Sequence, residues 1–141
     1  MKVVVAGSRS LPAGASSFAF PLLDALGEDD VVLLRKPKHA EANHFESIIA
    51  AYCRYRNVGY KFYEPQPTED APGRASVYVR DNDMLDAADR VFLFISRDAV
   101  TEGNSGTFHL LERSINSDIA VDAFSVGYDG MRLQAERIGS L

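Results

Sequence analysis

The reading of this chain turns on one stretch: Arg80-Asp81-Asn82-Asp83-Met84-Leu85, then Ala88-Asp89, then the apolar run Val91-Phe92-Leu93-Phe94-Ile95, and a polar loop that closes at Gly106-Thr107 ahead of Phe108, Leu111 and Ile115. Its order is helix, buried strand, glycine-containing loop, helix. Such a loop leaves backbone N–H groups unpaired at a helix N-terminus, where they can hold a phosphate. The stretch therefore points to a site for a small nucleotide or sugar phosphate, and leaves open whether that site does chemistry.

The same alternation extends in both directions. Val3-Val4-Val5-Ala6 is a β-branched run ending at Gly7, and Val31-Val32-Leu33-Leu34 is a second. Tyr60-Lys61-Phe62-Tyr63 is a third, and Ile119-Ala120-Val121 with Ala123-Phe124-Ser125-Val126 is a fifth, interrupted by Asp122. Continuous apolar runs fit strands covered on both faces. Phe45, Ile48, Ile49, Tyr52 and Cys53 recur at helical spacing, which predicts an amphipathic helix over 41–56. Phe18, Leu22 and Leu26 mark a first helix in which Pro21 belongs to the opening turn or makes a kink. Strands alternating with helices predict right-handed crossovers and a five-stranded, mostly parallel sheet with helices on both faces and strand one central. Residues 64–73, with Pro65, Pro67 and Pro72, read as an exposed loop.

A chain of 141 residues fits one domain, taken as 1–126, with 127–141 as a polar tail, a short helix or an oligomer contact. The net charge of −5 argues against a general nucleic-acid binder. Cys53 is the only cysteine, so neither an intramolecular disulfide nor a cysteine metal cluster can form, and a reducing compartment is the simpler setting. Met1-Lys2 is followed by four apolar residues before Gly7, too few for a signal segment, and no run reaches membrane-spanning length. The expectation is a soluble cytoplasmic protein without a membrane partner.

In an open parallel α/β sheet, ligands bind beyond the carboxyl ends of the strands. Gly7-Ser8-Arg9-Ser10 offers a close turn, hydroxyl donors and a forked cation, or is a plain polar turn. Arg35-Lys36-Pro37-Lys38-His39 is a basic loop in an acidic chain; Arg35, Lys36 and Lys38 receive an anion or form a solvated turn. Gly106-Thr107 is a ligand loop or a capped glycine turn. Arg80 and Asn82 reach a ligand from the helix before strand four, or belong to a surface helix with paired charges. Asp81 and Asp83 diverge by about 200° on a helix, and His39, His44 and His109 are scattered, so no metal and no cofactor is expected.

Together these residues resemble the SLOG superfamily, the Rossmann-like group that includes the Lonely Guy phosphoribohydrolases and the DprA proteins, and most nearly its small YspA-like branch of phage and bacterial genomes. The resemblance rests on 3–9 as strand and Gly-Ser-Arg turn, on Arg80, Asn82, Met84, Leu85 and Ala88-Asp89, and on Gly106-Thr107 with His109. It implies a Rossmann-like three-layer α/β sandwich, a nucleotide or phosphorylated-ribose ligand, and Gly7, Ser8, Arg9, Arg80, Asn82, Gly106 and Thr107 as its contacts. It also implies a homo-oligomer, first a dimer, for which Tyr52, Tyr55, Leu133 and Ile138 are apolar candidates.

Two positions depart from the family. The loop after strand two lacks the family's glycines, and the catalytic glutamate of the phosphoribohydrolases falls on Leu110. Glu112 is turned about 200° further round the helix, so Glu102 is the nearby carboxylate to consider. A site without a carboxylate favours binding of a nucleotide-derived signal over cleavage. The alternatives are an N-glycosidase of the phosphoribohydrolase or deoxyribosyltransferase type acting on nucleoside monophosphates, and a structural or interaction protein on a degenerate SLOG scaffold.

Overall fold

A computed structural model describes residues 1–8, 11–36, 44–97 and 106–140. Six strands form one sheet: β1 (Lys2–Gly7), β2 (Val31–Arg35), β3 (Gly59–Tyr63), β4 (Arg90–Ser96), β5 (Ala120–Asp129) and β6 (Arg132–Ser140). Their order is β3-β2-β1-β4-β5-β6. The first five run parallel, and β6 returns antiparallel along β5. The chain steps outward from β1 through β2 to β3 and then restarts on the other side of β1 at β4. The carboxyl ends of β1 and β4 therefore flank the topological switch point, where a Rossmann-like sheet opens a crevice.

Alternation along β1 supplies both sides of the core. Val3 and Val5 join Leu23, Ile49, Cys53 and Phe94 on one face, while Val4 and Ala6 join Met84, Leu93, Ile95 and Leu110 on the other. The first face is covered by a 3₁₀ turn (Ala15–Ala19), α1 (Phe20–Asp24) and α2 (Phe45–Arg56); α3 (Arg74–Asp86) and α4 (Gly106–Asn116) belong to the second. Each fully buried Leu or Phe contributes about 1.5–3 kcal/mol relative to an exposed one.

Local chemistry sets the boundaries. Pro21 lies in the first turn of α1, where its missing N–H costs nothing, so no kink arises. The helix expected over 41–56 begins at Phe45, because His44 is extended and caps the first turn through its side chain. It ends at Asn57, whose φ of 57° is a left-handed conformation that asparagine tolerates, and Val58 N–H closes back on Cys53 C=O at 2.9 Å.

Two expectations change at the C-terminal side. Asp122 does not interrupt β5: it is buried in mid-strand, and Arg90 and Arg137 approach its carboxylate at 2.5 and 3.5 Å. Residues 127–129 complete β5, and 132–140 form a sixth strand rather than a short helix. Leu133 and Ala135 pack on the first core face at strand spacing, which determines the extended form. Gly130, at φ 63°, and Met131 make the two-residue turn between them. Among the described residues, no helix is long and apolar enough to cross a membrane.

Candidate functional site

β1 ends against the start of α2. A Cβ on Gly7 would lie 2.6 Å from the Phe45 ring and 2.7 Å from Leu11, so glycine is required for this approach. The closeness brings the Gly7 N–H to Glu46 Oε1 at 3.2 Å. Ser8 follows, also buried. Its N–H donates to Phe94 C=O at 3.0 Å, and its hydroxyl accepts from Ser96 N–H at 2.9 Å. Ser8 thus ties the carboxyl ends of β1 and β4 together at the switch point.

Arg35, the last residue of β2, is the hub. Its Nη2 lies 2.7 Å from Gly7 C=O, 2.9 Å from Glu46 Oε1 and 3.0 Å from Thr107 Oγ1. One nitrogen with two hydrogens serves three acceptors, so the bonds are shared. Gly7 and the N-terminus of α4, far apart in sequence, are joined through this one guanidinium. Thr107 is 2% exposed in the first turn of α4. Nε and Nη1 of Arg35 donate to no described residue.

Glu46 lies in the first turn of α2, 1% exposed. Burial pushes its carboxyl pKa up. The Arg35 charge, with the adjacent His44 ring and hydrogen bonds from Arg35 and Gly7 N–H, outweighs that push and holds it below the ordinary value. Its second oxygen, Oε2, accepts no placed hydrogen bond, although His44 Nδ1 stands 3.1 Å away. That same Nδ1 accepts the Glu46 N–H at 3.3 Å.

Arg80 adds a second guanidinium. It is largely buried in α3, with Nε 3.0 Å from Asp81 Oδ1. Burial pulls its pKa below the ordinary value against the opposing charge of Asp81; Arg35 adds to the lowering and Glu46 works against it. Arg80 therefore sits within the field of the Arg35–Glu46 pair.

The other expected residues divide. Lys36 is exposed and pairs with Glu64 at 2.8 Å, so the basic run parts after Arg35. Asn82, two residues from Arg80 and about 200° round the helix, accepts from Arg113 Nη1 on the α3–α4 seam. Arg113 also stands 5.6 Å over the Tyr78 ring, which meets His109 edge-on. Asp89 lies at the opposite end of the sheet, where it exchanges bonds with the Lys2 backbone. Leu110 is fully buried in the core, and Glu112 is exposed. Arg9, Lys38 and Glu102 lie outside the described residues.

Glu46 is the residue that the sequence reading missed. Its signal was present: positions 46, 49, 50 and 53 make the buried stripe of α2, and a carboxylate on an apolar stripe needs a buried partner. Searches of known protein families, of curated proteins and of solved structures found no match for this chain.

Proposed function

We propose that the crevice at the carboxyl ends of β1, β2 and β4 binds a nucleotide or a nucleotide-derived signal through its phosphate, and that the protein acts as a binding module. The observation that carries this reading is the largely buried Arg35 guanidinium held 3.0 Å from Thr107 Oγ1 at the N-terminus of α4, with a second enclosed guanidinium, Arg80, whose charge is felt by the same pair. Arginine forks match phosphate oxygens in pairs, and a helix N-terminus adds unpaired N–H groups. The Nε and Nη1 edge of Arg35, which donates to no described residue, supports the same reading. Calorimetric titration with nucleoside 5′-monophosphates, diphosphates and the parent nucleosides tests it. Phosphate-dependent binding is expected, and equal affinity for nucleosides overturns it.

A second reading, cleavage of an N-glycosidic bond, is favoured by Glu46. A carboxylate held ionised beside the crevice can balance cationic charge at a ribosyl carbon. Against it, Oε1 already receives Gly7 and Arg35, and the side chain is almost wholly enclosed. Incubation with nucleoside monophosphates and chromatography for free base decides between the readings. Turnover that disappears in Glu46→Gln selects the enzyme.

A further inference from the structure

β6 closes the sheet order, and no other described strand pairs with its outer edge. The hairpin fixes which backbone groups point outward. Gly130 is left-handed and Met131 is not among the positive-φ residues, so the turn is the type that places glycine first. Asp129 and Arg132, which close it, then form a hydrogen-bonded pair, and the pairs along β5 and β6 alternate from there. Gln134 and Glu136 turn their backbone groups inward to Gly127 and Ser125. Leu133 and Ala135 turn theirs outward, away from β5.

We propose that this edge pairs antiparallel with β6 of a second copy of the chain, about a two-fold axis at Gln134, joining the two sheets into one. A two-fold perpendicular to the sheet keeps each side chain on its own face, so the residue at the axis must meet itself. With Gln134 there, Leu133 meets Ala135 of the second copy in the hydrogen-bonded pairs, through the backbone groups that face outward. Arg132 meets Glu136 of the second copy, twice, in non-hydrogen-bonded pairs, where side chains stand closest. Shifting the axis to Leu133 or Ala135 matches neither charge, and shifting it to Glu136 sets two glutamates together.

Charged side chains usually protect an edge from pairing. Here opposite signs stand four residues apart, which makes the strand complementary to itself. Arg132 and Glu136 are both exposed, and neither makes an ion pair with a described residue. Leu133 and Ala135 are partly buried against the first core face, so their cross-strand pairs would continue an existing apolar layer into the second copy. The neighbouring Met131 and Ile138 are 101% and 42% exposed. The contact does not involve the crevice and holds whatever ligand that crevice takes.

Charge exchange tests the register. Sedimentation velocity of the full chain should give a species of twice the 15.5 kDa chain mass. Arg132→Glu alone sets Glu against Glu, and Glu136→Arg alone sets Arg against Arg, so each should sediment as a monomer. Mixed in equal amounts, they restore both opposite pairs and should return the dimer. A wild-type chain that stays monomeric at a few hundred micromolar overturns the proposal, as do single variants that remain dimeric or a mixture that stays monomeric. Gln134→Cys reads the register independently of charge, since Cα atoms about 4.5 Å apart lie within disulfide reach. Air oxidation should link two copies through residue 134, and Glu136→Cys should not link. Cys53 is buried and does not compete. The reverse pattern overturns the axis.

Discussion

Arg35 and Lys36 are neighbours with the same charge, and the fold sends them to opposite environments. Arg35 closes β2 beside the switch point, 14% exposed, against a glutamate that is 1% exposed. Lys36 stands on the surface, 50% exposed, against a glutamate that is 54% exposed. A charge run in sequence says nothing about this division; the end of β2 decides it, because Arg35 is the last strand residue, bonded to Gly7 C=O, and Lys36 lies beyond the strand on the surface. The inner pair is held by shared bonds to Gly7 and Thr107, whereas the outer pair is screened by solvent.

Removing one partner of each pair should have the most unequal consequences. Arg35→Ala leaves Glu46 charged and enclosed, and loss of one member of a buried pair costs about 3–5 kcal/mol. Lys36→Ala removes an exposed contact worth about 0–1 kcal/mol. Urea unfolding should separate the two variants clearly. Similar midpoints would mean that Glu46 finds another partner or reaches water.

Ligand affinity gives the next effect. Arg80→Ala should weaken phosphate-dependent binding by about 10- to 100-fold, the range for a charge-assisted bond of about 1.5–3 kcal/mol. Lys36→Ala should change it by less than about threefold, since a screened surface charge contributes little. Calorimetry with the same nucleotide decides, and a larger loss at Lys36 would move the anchor to the basic loop.

Glycine contacts sharpen the contrast between the two ends of the sheet. Gly7→Ala drives a Cβ to 2.6 Å from Phe45, and overpacking of this kind costs about 1–3 kcal/mol. Gly59, at the start of β3, has its nearest neighbour at 3.6 Å, an ordinary contact. Gly59→Ala should therefore stay within about 1 kcal/mol of the wild type, in either direction. Thermal melts of both variants test the pair, and equal losses would remove the close approach at Gly7.

Much of the layered fold was legible because its signals are local. The runs at Val3–Ala6 and Val91–Ile95 are buried strands, and Pro21 opens a helix as proline can. The hairpin was less legible although Asp129-Gly130 marks a turn, since Leu133 and Ala135 give only a short alternation among charged residues. Asp122 broke an apolar run, and the arginines that hold it come from β4 and β6, at separations no local pattern records. In the site, Gly7 and Thr107 were legible from loop position, and their meeting was not. Arg35 joins them across 72 residues on one side, and Glu46 enters from a helix face read from Phe45, Ile48, Ile49, Tyr52 and Cys53, of which Phe45, Ile49 and Cys53 are buried together with Glu46 and Ala50.

The smallest effect is the acid dependence of the inner pair, and its sign follows from linkage. The Glu46 carboxyl is held below its ordinary value of 4.5 in the folded chain, through Arg35, His44 and Gly7 against the opposing effect of burial. The unfolded chain then takes up the proton more readily than the folded one. Stability from this group is fully present above the unfolded value and is lost as pH falls through the lower, folded value. Glu46→Gln removes that ionisation while keeping the side-chain length. The gap in stability between the wild type and Glu46→Gln should be widest near neutral pH and should close on acidification below about 4.5, the unfolded reference for a glutamate. Lys36→Ala should follow the wild-type acid profile, because the outer pair does not touch Glu46. Urea midpoints for all three chains between neutral pH and pH 3 supply the test. A gap that stays constant across that range would mean that Glu46 titrates alike in the folded and unfolded chains, and that Arg35, His44 and Gly7 only offset the effect of burial.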